Sequence, residues 1–193
     1  MALPKVYTNP VLADKYIQYL QQSLDELSWL ELVYPAVRVG VDEEGMTYPM
    51  VYANDGSSKN YSVLFDTDRK AYAFFEYDGD IRMADGVFNG GDADMVLPLA
   101  VVVWGRLDYI YPTKQYDYTM ELVKDVIGKL KDAANYSGYN IMLLSDMTIT
   151  TDYDRVFSRY TLHDETTTAA LMRNRTAFRI AFSITVDAYC EID

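Results

Sequence analysis

The chain has 193 residues, of which 50% are hydrophobic and 24% are charged, so it is long enough for one sizeable core and unlike a disordered chain. Its net charge of −12 and the lack of a basic run argue against a protein that grips nucleic acid phosphate, and its one cysteine, Cys190, excludes an internal disulfide and a multi-cysteine zinc site. Neither a signal peptide nor a membrane-spanning run is recognisable, so we expect a soluble product with no membrane partner.

The N-terminal part of the chain predicts a helix and then a strand. The pair Asn9-Pro10 is typical of a helix start, and apolar side chains recur at helical spacing over residues 10–29. Pro35 is interpreted as a break in the chain. Residues 37–41 alternate valine with arginine and glycine, which predicts a half-buried strand.

The next region is rich in strand and turn signals. A return strand is predicted over residues 46–53, where Pro49 favours an edge position or a bulge. Residues 61–65 and 71–77 are interpreted as the two strands of a hairpin, because turn-forming residues separate them. We therefore predict a β insertion or arm over residues 40–95.

The clearest pattern is a buried strand followed by a long helix. Residues 96–107 read VLPLAVVVWGRL, an apolar run that is typical of a strand covered on both faces. Residues 116–134 repeat apolar side chains at steps of three and four, which predicts an amphipathic helix. Residues 178–190 alternate apolar and polar side chains, as a strand with one buried face does.

Together these elements predict a single α+β domain over residues 1–193. Its sheet is mostly antiparallel and is packed by two principal helices, about 10–29 and 116–134, with an inserted β-hairpin region. Residues 153–174 show no firm periodicity and are predicted to be a loop or arm.

Candidate catalytic and metal-binding residues are sparse. His163 is the only histidine, and neither a Gly-x-Ser-x-Gly elbow nor a phosphate-binding glycine motif occurs, so we expect no enzyme and no cofactor. Paired aspartates two residues apart could share a hard cation, but they lie in turn-like sequence where aspartate usually bonds the local backbone. These pairs are Asp66/Asp68, Asp78/Asp80, Asp92/Asp94 and Asp152/Asp154.

Tyrosine and arginine point instead to contacts between proteins. The chain contains 18 tyrosines, a residue type that is enriched where protein surfaces meet. Arginines gather in the last third of the chain beside acidic residues, which suits either a charge-paired surface of one chain or complementary patches on neighbouring subunits. Our candidate interface residues are Asp92, Asp94, Tyr153, Arg155, Arg159, Arg173 and Arg175.

The order of these elements resembles that of the tail-terminator or tail-completion group of bacteriophage head–tail joining proteins. The resemblance covers most of the chain and is carried by four segments. They are residues 27–31 (LSWLE), 35–39 (PAVRV), 97–104 (LPLAVVVW) and 178–186 (FRIAFSITV).

This resemblance implies a structural virion protein, assembled in the host cytoplasm, that forms a homo-oligomeric ring of six or twelve subunits. Such a ring contacts other neck, portal or tail proteins, and DNA passes through its lumen without specific binding. An acidic wall fits this role because it repels the phosphate backbone. Under this hypothesis, residues 85–94 and 153–174 reach adjacent subunits.

Two other functions stay open at the level of sequence. The first is a calcium-dependent module that binds carbohydrate or another ligand, using exposed aromatic side chains and paired aspartates. The second is a two-carboxylate hydrolase, because acidic residues are plentiful although no pair is singled out.

Overall fold

The computed structural model describes residues 13–52, 60–64, 69–84, 94–113, 118–136, 142–161 and 174–187. Its helices and mostly antiparallel strands confirm the predicted α+β fold class. The elements, in chain order, are α1 (Ala13–Asp25), β1 (Leu32–Ala36), β2 (Arg38–Val41), β3 (Thr47–Tyr52), β4 (Asn60–Ser62), β5 (Ala71–Tyr77), β6 (Arg82–Ala84), β7 (Asp94–Arg106), α2 (Leu107–Ile110), α3 (Thr119–Tyr136), β8 (Met142–Thr150), α4 (Tyr153–Val156) and β9 (Arg175–Asp187).

The large sheet is organised around β7, the strand that the apolar run predicted. Its strand order is β1-β5-β7-β9-β8, with β6 also pairing with β7, and within it β1 and β5 run parallel. β7 and β9 are each 13 residues long and pair along their whole length. Residues 99–105 of β7 are buried because both faces of the sheet are covered there.

The helices α1 and α3 cover one face of the large sheet and contact each other. The Ser23 hydroxyl of α1 donates a hydrogen bond to the Lys129 carbonyl of α3 at 2.7 Å. The two predicted principal helices are thus confirmed, although α1 ends at Asp25 rather than at residue 29, and residues 10–12 and 116–117 lie outside the described part of the chain. Among the described helices, none is long and apolar enough to cross a membrane.

A smaller sheet covers the other face. It consists of β2, β3 and β4, with β3 in the middle, and it is joined there by α4. Between the layers lies a second apolar cluster, which has aromatic side chains from the large sheet at its base. Its buried members are Leu32, Tyr34, Val37, Val51, Val63, Tyr72, Phe74, Val102, Trp104, Val156, Phe157, Tyr160 and Ala177.

The predicted hairpin of residues 61–65 and 71–77 is wrong. β4 pairs with β3 in the small sheet, whereas β5 lies between β1 and β7 in the large one. β5 is buried on both faces from Ala71 to Glu76, so a central position suits it better than a hairpin at the margin. Of the predicted insertion at 40–95, β3 and β4 join β2, and β5 and β6 belong to the large sheet.

Both prolines lie inside strands, at positions that differ from those predicted from the sequence. Pro35 does not end an element but lies inside β1, an edge strand whose pairing with β5 is irregular between Val33 and Ala36. Pro49 lies in β3, a middle strand without a bulge, so its predicted edge position is wrong. β3 tolerates it because the ladder to β4 begins only at Met50, and the Pro49 carbonyl still accepts a hydrogen bond from the Val63 N–H at 3.1 Å.

Candidate functional site

The segment at 152–161 packs on the second apolar cluster instead of projecting as the predicted arm. Asp152 is the N-cap of α4, and its side chain accepts a hydrogen bond from the Asp154 N–H at 3.1 Å. The Tyr153 and Phe157 rings lie 4.9 Å apart between centroids, and Val156 is buried beside them. This part of the predicted arm at 153–174 is therefore a cover for the sheet, while residues 162–173 lie outside the described chain.

A group of polar side chains, Glu76, Asp78, Arg159, Tyr160 and Arg179, fastens this segment to the large sheet. We call it the Glu76 cluster. Glu76 is 1% exposed and accepts hydrogen bonds from the Tyr160 hydroxyl, from Arg159 Nη1 at 3.5 Å and from Arg179 Nε at 3.3 Å. Arg179 also pairs with Asp78 through Nη2. Two carboxylates thus face two guanidinium groups, and the formal charges cancel.

Arg159 and Tyr160, which follow α4, both form hydrogen bonds with β5. Arg159 Nη1 donates to the Tyr77 carbonyl at 2.6 Å in addition to its contact with Glu76. Burial, and then the negative charge of Glu76, raise the pKa of the Tyr160 hydroxyl well above its usual range, so it remains a hydrogen-bond donor to the carboxylate. Arg159, a predicted interface residue, is therefore engaged within its own chain.

Two arginines, Arg106 and Arg175, lie at the end of the large sheet where β7 ends and β9 begins. Arg106 lies directly opposite Arg175, pairs with Asp108 at 2.9 Å and stacks on the Tyr109 ring with its guanidinium carbon 3.4 Å from the centroid. The Arg175 guanidinium lies 5.0 Å from the centroid of the Trp104 ring. Partial burial, followed by the charge of Arg106, lowers the pKa of Arg175.

The remaining predicted interface residues differ in exposure. Asp94 is 1% exposed at the start of β7, contrary to the exposed position that an arm would give it. Arg155 is exposed on α4. Tyr153 is partly buried and packs against the second apolar cluster, and this burial raises the pKa of its hydroxyl. Asp92 and Arg173 lie outside the described residues.

Several carboxylates of the described residues bond the nearby backbone or pair with arginine. Asp152 caps a helix and Asp78 pairs with Arg179, so two of the four aspartate pairs contribute a member to turns or ion pairs. Glu76 and Asp78 share Arg179, and Glu76 is 1% exposed, so its carboxylate is held by contacts within the chain. In the described ranges, no three His, Cys, Asp or Glu side chains are grouped so as to hold a metal. Asp66, Asp68, His163 and Cys190 fall outside those ranges.

Several large apolar side chains are exposed at the margins of the two sheets. The exposed fraction rises from 7% at Val37, just before β2, to 45% at Val39 and 64% at Val41 within it, so the predicted burial of the three valines holds only for the first. Ile81, just before β6, is 52% exposed, and Met83, within β6, is 61% exposed. Elsewhere, large exposed apolar side chains occur at Tyr19, Tyr109, Met120 and Ile149.

The Glu76 cluster escaped the sequence-based interpretation, although one signal for it was present. Glu76 is the one charged residue in the β5 segment AYAFFEY, so its position inside an apolar run predicts a buried carboxylate that needs partners. The partners lie 83 and 103 residues away in Arg159 and Arg179, and no local pattern identifies them.

No protein-family model matches the chain, and a search of curated proteins found no similar sequence.

Proposed function

We propose that this chain is a structural subunit of a bacteriophage neck or tail. In this proposal six or twelve copies form a ring that contacts portal, neck or tail proteins, and DNA passes through the lumen. The protein acts by assembly in the virion and turns over no substrate.

The observation that carries the proposal is the apolar margin formed by Ile81 and Met83. Both side chains are more than half exposed, and β6 pairs with β7 on one side while no described strand pairs with its other side. Exposed apolar side chains on an open strand edge are costly for a solitary chain, because they promote association. A neighbouring subunit would cover them.

Charge supports the same role. The net charge of −12 repels the phosphate backbone, so a lumen lined by such chains lets DNA slide without holding it. Arg159 and Arg179 pair with Glu76 and Asp78, so the formal positive charges of the Glu76 cluster are balanced within it.

The order of elements is also compatible with the resemblance noted in the sequence. The chain has an N-terminal helix, a β region, a central strand followed by a helix, and a long closing strand, in the order on which the resemblance rests. Fold order alone does not assign a function, so the test has to be one of assembly.

Native mass spectrometry and negative-stain imaging of the purified chain test the proposal directly. We expect rings of six or twelve copies in the unmodified protein and their loss in Met83→Lys. Met120→Lys is a matched control, because Met120 on α3 is also 61% exposed but lies away from β6. A charge in a buried apolar contact is strongly unfavourable, whereas the same charge on a solvated helix face is not.

Two results would contradict the proposal. A chain that stays free of rings at every concentration, with or without its phage neighbours, would remove the assembly role. Rings that survive Met83→Lys and are lost in Met120→Lys would show that the contact lies on the helices instead of the β6 margin.

A further inference from the structure

Among the described strands, β2 is an edge strand of the small sheet. β2 pairs with β3 through Arg38–Met50, Val39–Pro49, Gly40–Tyr48 and Val41–Thr47. Among the described strands, none pairs with its other edge. The backbone and side chains of this edge determine what can be added to it.

The backbone groups of Val39 and Val41 point to the open edge. Residues opposite each other in an antiparallel ladder alternate between pairs that exchange hydrogen bonds and pairs that do not. The Asp42 N–H donates to the Met46 carbonyl at 3.0 Å, so Gly40 and Arg38, at steps of two, also face β3. Val39 and Val41 face the other way, which agrees with Pro49, opposite Val39, having no N–H to offer.

The charges along β2 have opposite signs at its two ends. Arg38 begins the strand, and the turn Asp42-Glu43-Glu44 follows it, with Gly40 at the centre and one valine on either side. When the segment RVGVD is aligned with its own reversed sequence, each valine therefore lies opposite a valine and the arginine lies opposite the aspartate. An antiparallel copy of itself satisfies this pattern, whereas a parallel copy would place like charges side by side.

We propose that β2 binds β2 of a second copy of this chain, in an antiparallel pair with Gly40 on the two-fold axis. In this register Val39 of one copy exchanges hydrogen bonds with Val41 of the other, and Arg38 lies opposite Asp42. The two half-exposed valines of each copy cover those of the other. Four edge-facing backbone groups on each side gain hydrogen-bond partners.

This contact is isologous, so it closes on two copies. It is therefore different from the head-to-tail contacts of the proposed ring and does not rest on that function. The paired strands are short, so the interface belongs to the small, reversible class.

Substitutions at Val39 separate the backbone from the side chain. Val39→Pro removes the edge-facing N–H and leaves the ladder to β3 intact, because that N–H makes no bond to β3. Val39→Thr keeps the N–H and the branched shape. By concentration-dependent native mass spectrometry and analytical ultracentrifugation, we expect a reversible dimer whose dissociation constant rises about tenfold or more in Val39→Pro. In Val39→Thr we expect a change of only a few-fold, with unchanged near-ultraviolet circular dichroism in both variants.

Cysteine cross-linking tests the register itself. In a Cys190→Ser background, a mixture of Val39→Cys and Val41→Cys chains should form a disulfide between copies, since opposed residues in such a pair have Cα atoms about 5.5 Å apart. Each variant alone should form several-fold less. Arg38→Glu should weaken the dimer and Arg38→Lys should preserve it.

The proposal is overturned if Val39→Pro dimerises as well as the unmodified chain, or if cross-linking is equal in the mixed and single samples. Rings without a β2-dependent dimer would remove this contact and leave the proposed function standing. A β2-dependent dimer without rings would do the reverse.

Discussion

At the scale of single residues, Glu76 places a carboxylate among donors from two distant parts of the chain. Tyr160 and Arg159 come from the segment after α4, and Arg179 comes from β9. Removing charged groups from water is expensive, and a hydrophobic substitute of the same shape is often as stable. The cluster is therefore better understood as a device that fixes where the segment at 152–161 lies than as a large source of stability.

This interpretation predicts a steep cost for breaking the cluster one partner at a time. Glu76→Gln leaves the guanidinium groups of Arg159 and Arg179 without their buried counter-charge, and we expect the free energy of unfolding to fall by about 3 kcal/mol. Glu26→Gln is the control, because Glu26 pairs with Lys129 at 2.5 Å but its side chain is 66% exposed. Its cost should stay within about 0.5 kcal/mol. Urea denaturation measures both, and equal costs would contradict the assignment.

At the scale of elements, long periodic segments were predictable and strand partners were not. β7, β9 and α3 follow directly from a continuous apolar run, a strict alternation and a helical stripe, because each pattern extends over ten or more residues. β1 was missed because Pro35 suggested a break, although an irregular edge strand accommodates proline.

The partners of β5 show where local patterns stop being informative. Its apolar residues indicate a strand, but burial on both faces depends on α1 and α3 on one side and on the small sheet and α4 on the other. The same limit applies to the site. Arg155 and Arg159 are four residues apart in a similar acidic context and both are exposed, yet Arg159 also contacts Glu76, a partner that only tertiary packing brings near it.

Replacing Gly105 and Gly128 by alanine should change the free energy of unfolding in opposite directions. A Cβ at Gly105, near the end of the central strand β7, would lie 3.0 Å from the Ala71 Cβ, 3.2 Å from the Ile110 Cδ1 and 3.3 Å from the Lys70 carbonyl oxygen. Gly105→Ala should therefore lower the free energy of unfolding by about 1–3 kcal/mol through overpacking.

Gly128 provides the matched substitution. It lies on the exposed face of α3, and a Cβ built there has no other atom within 4 Å apart from its chain neighbours and the nearby backbone of the helix. Gly128→Ala should raise the free energy of unfolding by about 0.5–1 kcal/mol, because alanine favours the helix. Thermal melts of the two variants check both signs, and a stabilising Gly105→Ala would show that β5 and β7 can separate there without cost.

At the scale of the whole molecule, some of the 18 tyrosines are expected to make the free energy of unfolding fall as the pH becomes strongly alkaline. Burial raises the pKa of Tyr77 to about 12, with Asp14 adding to the shift, and it also raises the pKa of Tyr111. The pKa values of Tyr153 and Tyr160 are also raised, by burial and by nearby carboxylates. Folding therefore holds several phenols in their neutral form.

The sign of the resulting pH dependence follows from Tyr77. Its folded-state pKa of about 12 exceeds the ordinary value of 10.0, so the contribution of Tyr77 to stability is complete below pH 10 and is lost as the pH rises towards 12. Lysines deprotonate in the same range and increase the negative charge of every variant alike. Tyr77→Phe should therefore show a shallower fall of melting temperature between pH 10 and 12 than the unmodified chain, and the difference between the two slopes isolates this phenol. Parallel slopes would mean that Tyr77 ionises as readily in the folded protein as in the unfolded one.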